Sequence, residues 1–176
     1  LALARFGVPV DSINNIIKDL DGNYWFVTPK DGLYRYSPSN KKTLHLLPGT
    51  QISDMAQAPS GFCWIIHSNG LLEKMDPHTQ QIVSRDQVPT SSTSPYQLMA
   101  DKDGDCWLFS SNDFQGIYCF NQRTKTFIHY DQNNGLNNNI VRGVVQDNQG
   151  LIWVGTDHGG LNIIDKQQKT FRYLTN

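Results

Sequence analysis

GLIWVGTDHGGLNIID, residues 150–165, decides the fold. A glycine is followed three residues later by a tryptophan, then by a polar turn, a second glycine and an apolar run. Three earlier segments repeat the arrangement: DGNYWFVTPKDGLYRYS holds Trp25, SGFCWIIHSNGLLEKMD holds Trp64 and DGDCWLFSSNDFQGIYCFN holds Trp107, with Trp153 in the last copy. The steps between tryptophans are 39, 43 and 46 residues. Gly22, Gly61, Gly104 and Gly150 each stand three residues before their tryptophan. The second glycine is always followed by Leu or Ile: Gly32-Leu33, Gly70-Leu71, Gly116-Ile117 and Gly160-Leu161. Three copies carry an aspartate three residues before the first glycine (Asp19, Asp101, Asp147), where the second copy has Ala58. Four aligned copies at a period of roughly 40 residues are the mark of propeller blades or a similar array.

Each copy divides into four short strands. The first is INNIIKD, ISDMAQA, YQLMAD or IVRGVVQD, and the second, after the glycine turn, is YWFV, CWII, CWLF or IWVG. LYRYS, LLEKMD, IYCFN and LNIID give the third, and the more polar TLHLL, QIVSR, TFIHY and TFRYL the fourth. This is the meander of a blade. The tryptophan strand settles the packing. A sheet wetted on one face alternates apolar and polar residues, yet Tyr24, Cys63, Cys106 and Ile152 precede the tryptophans and Phe26, Ile65, Leu108 and Val154 follow them. Both faces are apolar, as in a sheet stacked between two others, and the indoles belong to the core. The prediction is an all-β fold: four four-stranded antiparallel β-propeller blades, over about 12–48, 51–86, 95–131 and 139–174, as one propeller fragment spanning 1–176.

The composition agrees. The chain has 176 residues, a net charge of −1, only 18% charged residues of balanced sign and a mean hydropathy of −0.47. No basic field is available for a nucleic-acid partner. No apolar run approaches the length of a membrane helix. Cys63, Cys106 and Cys119 are odd in number and lack metal-ligand spacing, which makes them buried apolar thiols. The segment RFGVPVDSINNIIKD (5–19) aligns with NNGLNNNIVRGVVQD (133–147), matching Gly7 to Gly135 and Val8 to Leu136. The opening is therefore read as a blade-to-blade connector rather than a signal peptide, with residues 1–4 left over from an earlier blade's last strand or from cloning. The chain is expected to be a piece cut at blade boundaries.

Residues 133–165 resemble the two-component regulator propeller repeat. That pattern runs GL-x-x-N-x-V, D-x-x-G-x-[IL]-W-[IV]-G-T, G-[GV]-L and a closing apolar residue with Asp. The first three copies keep the Gly, Trp and Gly-Leu skeleton but have Thr28-Pro29, His67-Ser68 and Ser110-Ser111 in place of Gly-Thr. The resemblance implies the sensor region of a hybrid two-component histidine kinase, periplasmic, followed in the parent chain by a β-sandwich, a membrane helix and kinase modules. It implies oligosaccharides from glycan breakdown as ligands.

Candidate contacts follow from the propeller geometry, in which connectors between blades and turns between second and third strands share one face. There lie Asn133, Asn134, Asn137, Asn138 and Asn139, with Asp157 and His158. Such amides suit a hydroxyl-rich ligand, but turn-making is the reading they favour. The five histidines (45, 67, 78, 129 and 158) fall at non-equivalent positions, and Asp21 and Asp103 lack the spacing of a sialidase-type Asp-box, leaving them as turn residues. No catalytic constellation, metal site or cofactor motif emerges. A propeller lyase or glycosidase and a protein-interaction propeller stand as alternatives. Four blades are fewer than an ordinary ring, so the fragment is expected to close on itself or to pair with a second copy.

Overall fold

The computed structural model describes residues 3–8, 12–90 and 95–174; residues 1–2, 9–11, 91–94 and 175–176 lie outside it, and with them part of the leading connector. Four antiparallel sheets follow in chain order, each of four strands paired consecutively. The first contains β1 (Asn15–Lys18), β2 (Tyr24–Val27), β3 (Leu33–Ser37) and β4 (Lys42–Leu46). The second contains β5 (Ile52–Gln57), β6 (Cys63–His67), β7 (Leu71–Met75) and β8 (Ile82–Gln87). The third contains β9 (Gln97–Ala100), β10 (Cys106–Phe109), β11 (Ile117–Asn121) and β12 (Thr126–Tyr130). The fourth contains β13 (Val141–Gln146), β14 (Ile152–Thr156), β15 (Gly160–Asp165) and β16 (Thr170–Leu174). Leu3–Phe6 make a 3-10 turn where the tail of an earlier strand was expected. The chain divides into two compact units, Leu1–Gln87 and Val88–Asn176, each with two sheets.

The glycine turns explain the first half of the repeat. The backbone N–H groups of Gly22, Gly61, Gly104 and Gly150 donate to the carbonyls of Asp19, Ala58, Asp101 and Asp147 at 2.9–3.0 Å. Each glycine then sits at positive φ, between 81° and 91°, the left-handed step of a three-residue hairpin loop. Where aspartate opens the turn, its side chain accepts from the tryptophan indole six residues on: Trp25 to Asp19 at 2.8 Å, Trp107 to Asp101 at 3.0 Å, Trp153 to Asp147 at 2.8 Å. The Asp147 carboxyl lies below its usual pKa, chiefly because the Trp153 indole donates to it, with backbone N–H groups adding to the effect against the cost of burial. Aspartate and tryptophan are thus one device. The turn fixes the carboxylate and the carboxylate satisfies the single polar atom of a core indole.

Within each unit the two sheets share a core. In residues 1–87, Trp25, Val27 and Leu33 pack with Ile52, Met55, Cys63 and Ile65. In residues 88–176, Trp107, Phe109, Ile117 and Cys119 pack with Val141, Ile152, Val154 and Ile164. Side chains of this size stabilise by about 1.5–3 kcal/mol each when buried. The three cysteines are free and buried, and burial pushes the Cys63 thiol up to about 12. Trp25, Trp64 and Trp107 are fully buried. Trp153 departs from expectation by being only partly buried. Its neighbours Ile152 and Val154 face the shared core, so the indole lies on the opposite face of β14. Among the described residues of its unit no further sheet covers that face.

Each unit also fastens the outer hairpin turn of its second sheet to its first sheet, by different chemistry. In the first unit, Arg35, stacked over Trp25 at 5.4 Å, donates to the Pro77 carbonyl at 2.5 Å. In the second, Lys166 Nζ meets the carboxylates of Asp101, Asp103 and Asp105 at 2.5, 3.0 and 2.7 Å. The residue paired with the tryptophan is Arg35 in β3 and Cys119 in β11. The smaller side chain stands where the cation comes instead from Lys166.

Candidate functional site

The amide-rich connector entering the fourth sheet lies beside the β14–β15 turn. Residues 131–140 connect β12 to β13, and the Asp157 backbone N–H donates to the Ile140 carbonyl at 2.9 Å, joining this connector to the β14–β15 turn. Most of its amides are engaged within the loop. Asn137 donates through its backbone N–H to Asn162 Oδ1 at 2.8 Å and through its side chain to the Gly159 carbonyl at 3.3 Å. Asn138 and Asn139 accept the backbone N–H groups of Ile140 and Gln132. Asn133 and Asn134 brace Asp131 and the His129 carbonyl. Asp157 is held by Arg142 at 2.9 Å and His158 at 3.0 Å. The Arg142 hydrogen bond is the main reason its carboxyl lies below the ordinary range.

A second arrangement was not anticipated from sequence. The residue after each tryptophan pairs with a third-strand residue, which pairs in turn with a fourth-strand residue. These outer pairs are Tyr34–His45, Glu73–Arg85, Tyr118–His129 and Asn162–Tyr173. His45 and His129 are therefore at equivalent positions, contrary to the sequence reading. Insertions of different length between the glycines hid the register. Each stacks flat on its tyrosine, with ring centroids 4.2 and 4.3 Å apart. Tyr34 also donates to Asp31 at 2.6 Å. Burial and this hydrogen bond raise the phenol to about 12.

In the first and fourth sheets the connector entering the sheet reaches this pair. Val8 packs on Phe26 and Tyr34 in the first. In the fourth, Leu136 is buried in the core, Asn137 bonds Asn162, and Tyr173 donates to the Gly135 carbonyl at 3.0 Å. The second sheet differs. Its connector is only the five residues 47–51, between Leu46 and Ile52, against ten residues, 131–140, before β13. The short connector turns through Leu47 at φ 52° and Gly49 at φ 72°, a conformation that strains a leucine by about 1–2 kcal/mol. It leaves open a cavity of about 550 Å³ lined by Leu47, Gln51, His67, Asn69, Glu73 and Arg85 among others.

The polar wall of this cavity is an ordered relay. Glu73 is buried. His67 Nε2 donates to its Oε2 at 2.9 Å and Arg85 Nε to its Oε1 at 2.8 Å. Glu73 thereby fixes both neighbours while Arg85 projects outward, its side chain 64% exposed. The sequence signal for the site was present in the 39-residue step from Trp25 to Trp64, the shortest of the three. Reading it required the strand register.

Four-stranded meanders, each built on a two-faced apolar tryptophan strand and a glycine turn, define a β-propeller repeat protein. Within it, residues 135–158 match the family described as two component regulator propeller. No curated protein matches the chain in sequence. Among solved structures, it is similar to the extracellular domain of a Bacteroides thetaiotaomicron protein described as the hybrid two component system BT4673, at 21% identity and TM-score 0.73, covering 94% of this chain and 24% of that one. The extracellular domain of BT3049 from the same organism aligns at 18% identity and TM-score 0.55, over 96% of this chain and 29% of that one. Virginiamycin B lyase from Staphylococcus aureus aligns at 14% identity and TM-score 0.73, over 96% and 58%. The likeness is one of fold. The chain spans about a quarter of the first of these structures.

Proposed function

We propose that this chain is part of the extracytoplasmic sensor region of a hybrid two-component histidine kinase, acting in the periplasm on oligosaccharides released from glycans. The observation that carries this reading is the match of residues 135–158 to the two component regulator propeller repeat, within a chain whose other three sheets repeat the same skeleton. The sheets supply a rigid scaffold, and ligand binding shifts the populations of arrangements that the kinase reads. Asn137, Asn138, Asn139, Asp157 and His158 offer contacts on the connector face of the fourth sheet. The protein partners are the remaining blades and kinase modules of a longer chain. Ile16 and Val145, on the first strands of their sheets, are 53% and 61% exposed, which suits packing against further blades or a second copy. Light scattering on the isolated fragment reads this directly: pairing gives twice the monomer mass, and a strict monomer at high concentration rules it out.

Calorimetry and a glycan array test the ligand class. Saturable binding without turnover is the expected result. The rival enzymatic reading has one observation in its favour, the buried contact of His67 with Glu73. Product formation that disappears in His67→Gln would replace sensing with catalysis.

A further inference from the structure

We infer that the cavity of the second sheet is a binding site for a carboxylate-bearing sugar, a uronate, with Arg85 as its anchor; this rests on the saccharide-sensing reading above. The argument begins with what the cavity lacks. In the first and fourth sheets the equivalent outer pair is reached by its own connector, through Val8 or Asn137. In the second sheet the five-residue connector leaves about 550 Å³ open over Glu73 and Arg85. That volume falls in the range of small-ligand pockets, about 300–1,000 Å³.

The chemistry of the lining selects the occupant. The one carboxylate in the wall, Glu73, already accepts from His67 and Arg85. Unspent capacity is on the donor side. Among the described residues, neither Nη of Arg85 has a protein partner, because only Nε is engaged. The side-chain N–H groups of Asn69 and Gln51 likewise make no hydrogen bond: Asn69 uses its carboxamide oxygen to accept from Leu71, and Gln51 uses its own to accept from Ser68. A guanidinium pinned at Nε presents its two Nη groups as a fork, which fits the two oxygens of a carboxylate. The amide donors then meet ring hydroxyls, and the aliphatic Leu47 and Leu71, both in the lining, supply the apolar surface for a sugar ring. A neutral saccharide leaves the fork with single hydroxyl acceptors. A cationic ligand meets no free carboxylate.

The test is calorimetric titration of the 176-residue chain with trigalacturonate, with neutral galactotriose and with acetate. Trigalacturonate is expected to bind saturably and at least about tenfold more tightly than galactotriose, about 1.4 kcal/mol, since charge-assisted hydrogen bonds are stronger than neutral ones. Acetate alone is expected to bind negligibly. Arg85→Gln is expected to lower trigalacturonate affinity by about tenfold or more. Glutamine retains an amide donor for the buried Glu73, and circular dichroism checks the fold of this variant. Arg123→Gln, on an exposed turn of the third sheet, is expected to leave affinity unchanged. Trigalacturonate binding that is indifferent to Arg85→Gln overturns this site while leaving the sensor reading intact. So does tight binding of galactotriose without trigalacturonate. Acetate binding as strong as trigalacturonate overturns the sugar assignment. Failure of every glycan on the array removes the sensor reading itself.

Discussion

Lys166→Met lowers the stability of the chain by about 3–5 kcal/mol, the range found when one partner of a buried ionic cluster is removed. The Lys166 side chain is 17% exposed, and the carboxylates of Asp101 and Asp105 are almost completely hidden. Burial alone would lower the pKa of the ammonium. The hydrogen bonds it donates to Asp101, Asp105 and Asp103 outweigh it and raise the group above its ordinary value. Methionine of similar length keeps the packing and removes the charge, leaving three carboxylates converging on one point. Urea denaturation at pH 7 reads the loss. The pH dependence separates charge from packing. A raised lysine contributes fully below its unfolded pKa, about 10.4, and the contribution is lost as pH rises through the higher folded value. The wild-type protein thus keeps the full contribution at neutral pH and sheds it only in strong alkali. The variant has no such contribution to shed, so its deficit relative to the wild type narrows only in strong alkali. A deficit that stays unchanged into strong alkali would assign the loss to packing and defeat the electrostatic account. Asp103→Asn placed in the Lys166→Met background recovers part of the stability, because Asp103 is the most exposed of the three carboxylates.

That cluster marks a boundary of what the sequence made legible. The architecture was written in local signals. The glycine turns, the two-faced tryptophan strands and the third strands LYRYS and IYCFN fall at their expected positions, because each depends on residues within a few places of one another. The aspartate before each glycine was visible as a regularity but not as a mechanism. Its bond to an indole six residues away needs the hairpin to be folded. Lys166 was invisible for a stronger reason. Its partners are more than 60 residues earlier, and no spacing rule links a turn lysine to three aspartates in another sheet. The loop candidates on the fourth sheet were found because asparagine-rich connectors stand out in composition. The cavity of the second sheet was missed because it is made by a connector that is short, and a missing segment has no composition to notice. His67 looked ordinary for the same reason. Its significance comes from Glu73 and Arg85, whose alignment on β7 and β8 is set by register. The equivalence of His45 and His129 was likewise hidden until strand partners placed each opposite its tyrosine.

Trp107→Ala is expected to cost about 3–5 kcal/mol, the range for removing a large buried aromatic, and clearly more than Trp153→Ala. The two indoles share one local motif: each donates to the aspartate six residues back, at 3.0 and 2.8 Å. They differ in burial. Trp107 is fully buried, stacks on Tyr130 with ring centroids 5.8 Å apart and belongs to the core shared by the third and fourth sheets. Trp153 is partly exposed, so its truncation leaves a surface notch that water fills rather than an empty cavity. If the indole–carboxylate bond dominated, the two substitutions would cost the same; if core packing dominates, Trp107→Ala costs about twice as much. The conservative pair separates the contributions further. Trp107→Phe keeps most of the apolar volume but removes the indole donor to Asp101, at a cost of about 1–3 kcal/mol. Asp101 still accepts from the backbone N–H groups of Asp103 and Asp105 and from Lys166, which holds that cost toward the lower end. Trp153→Phe loses its donor near solvent, where water replaces the hydrogen bond, and costs less again. Equal losses at the two alanine positions, measured by chemical denaturation, would show that the shared turn motif rather than the two-sided packing of the tryptophan strand holds these sheets together.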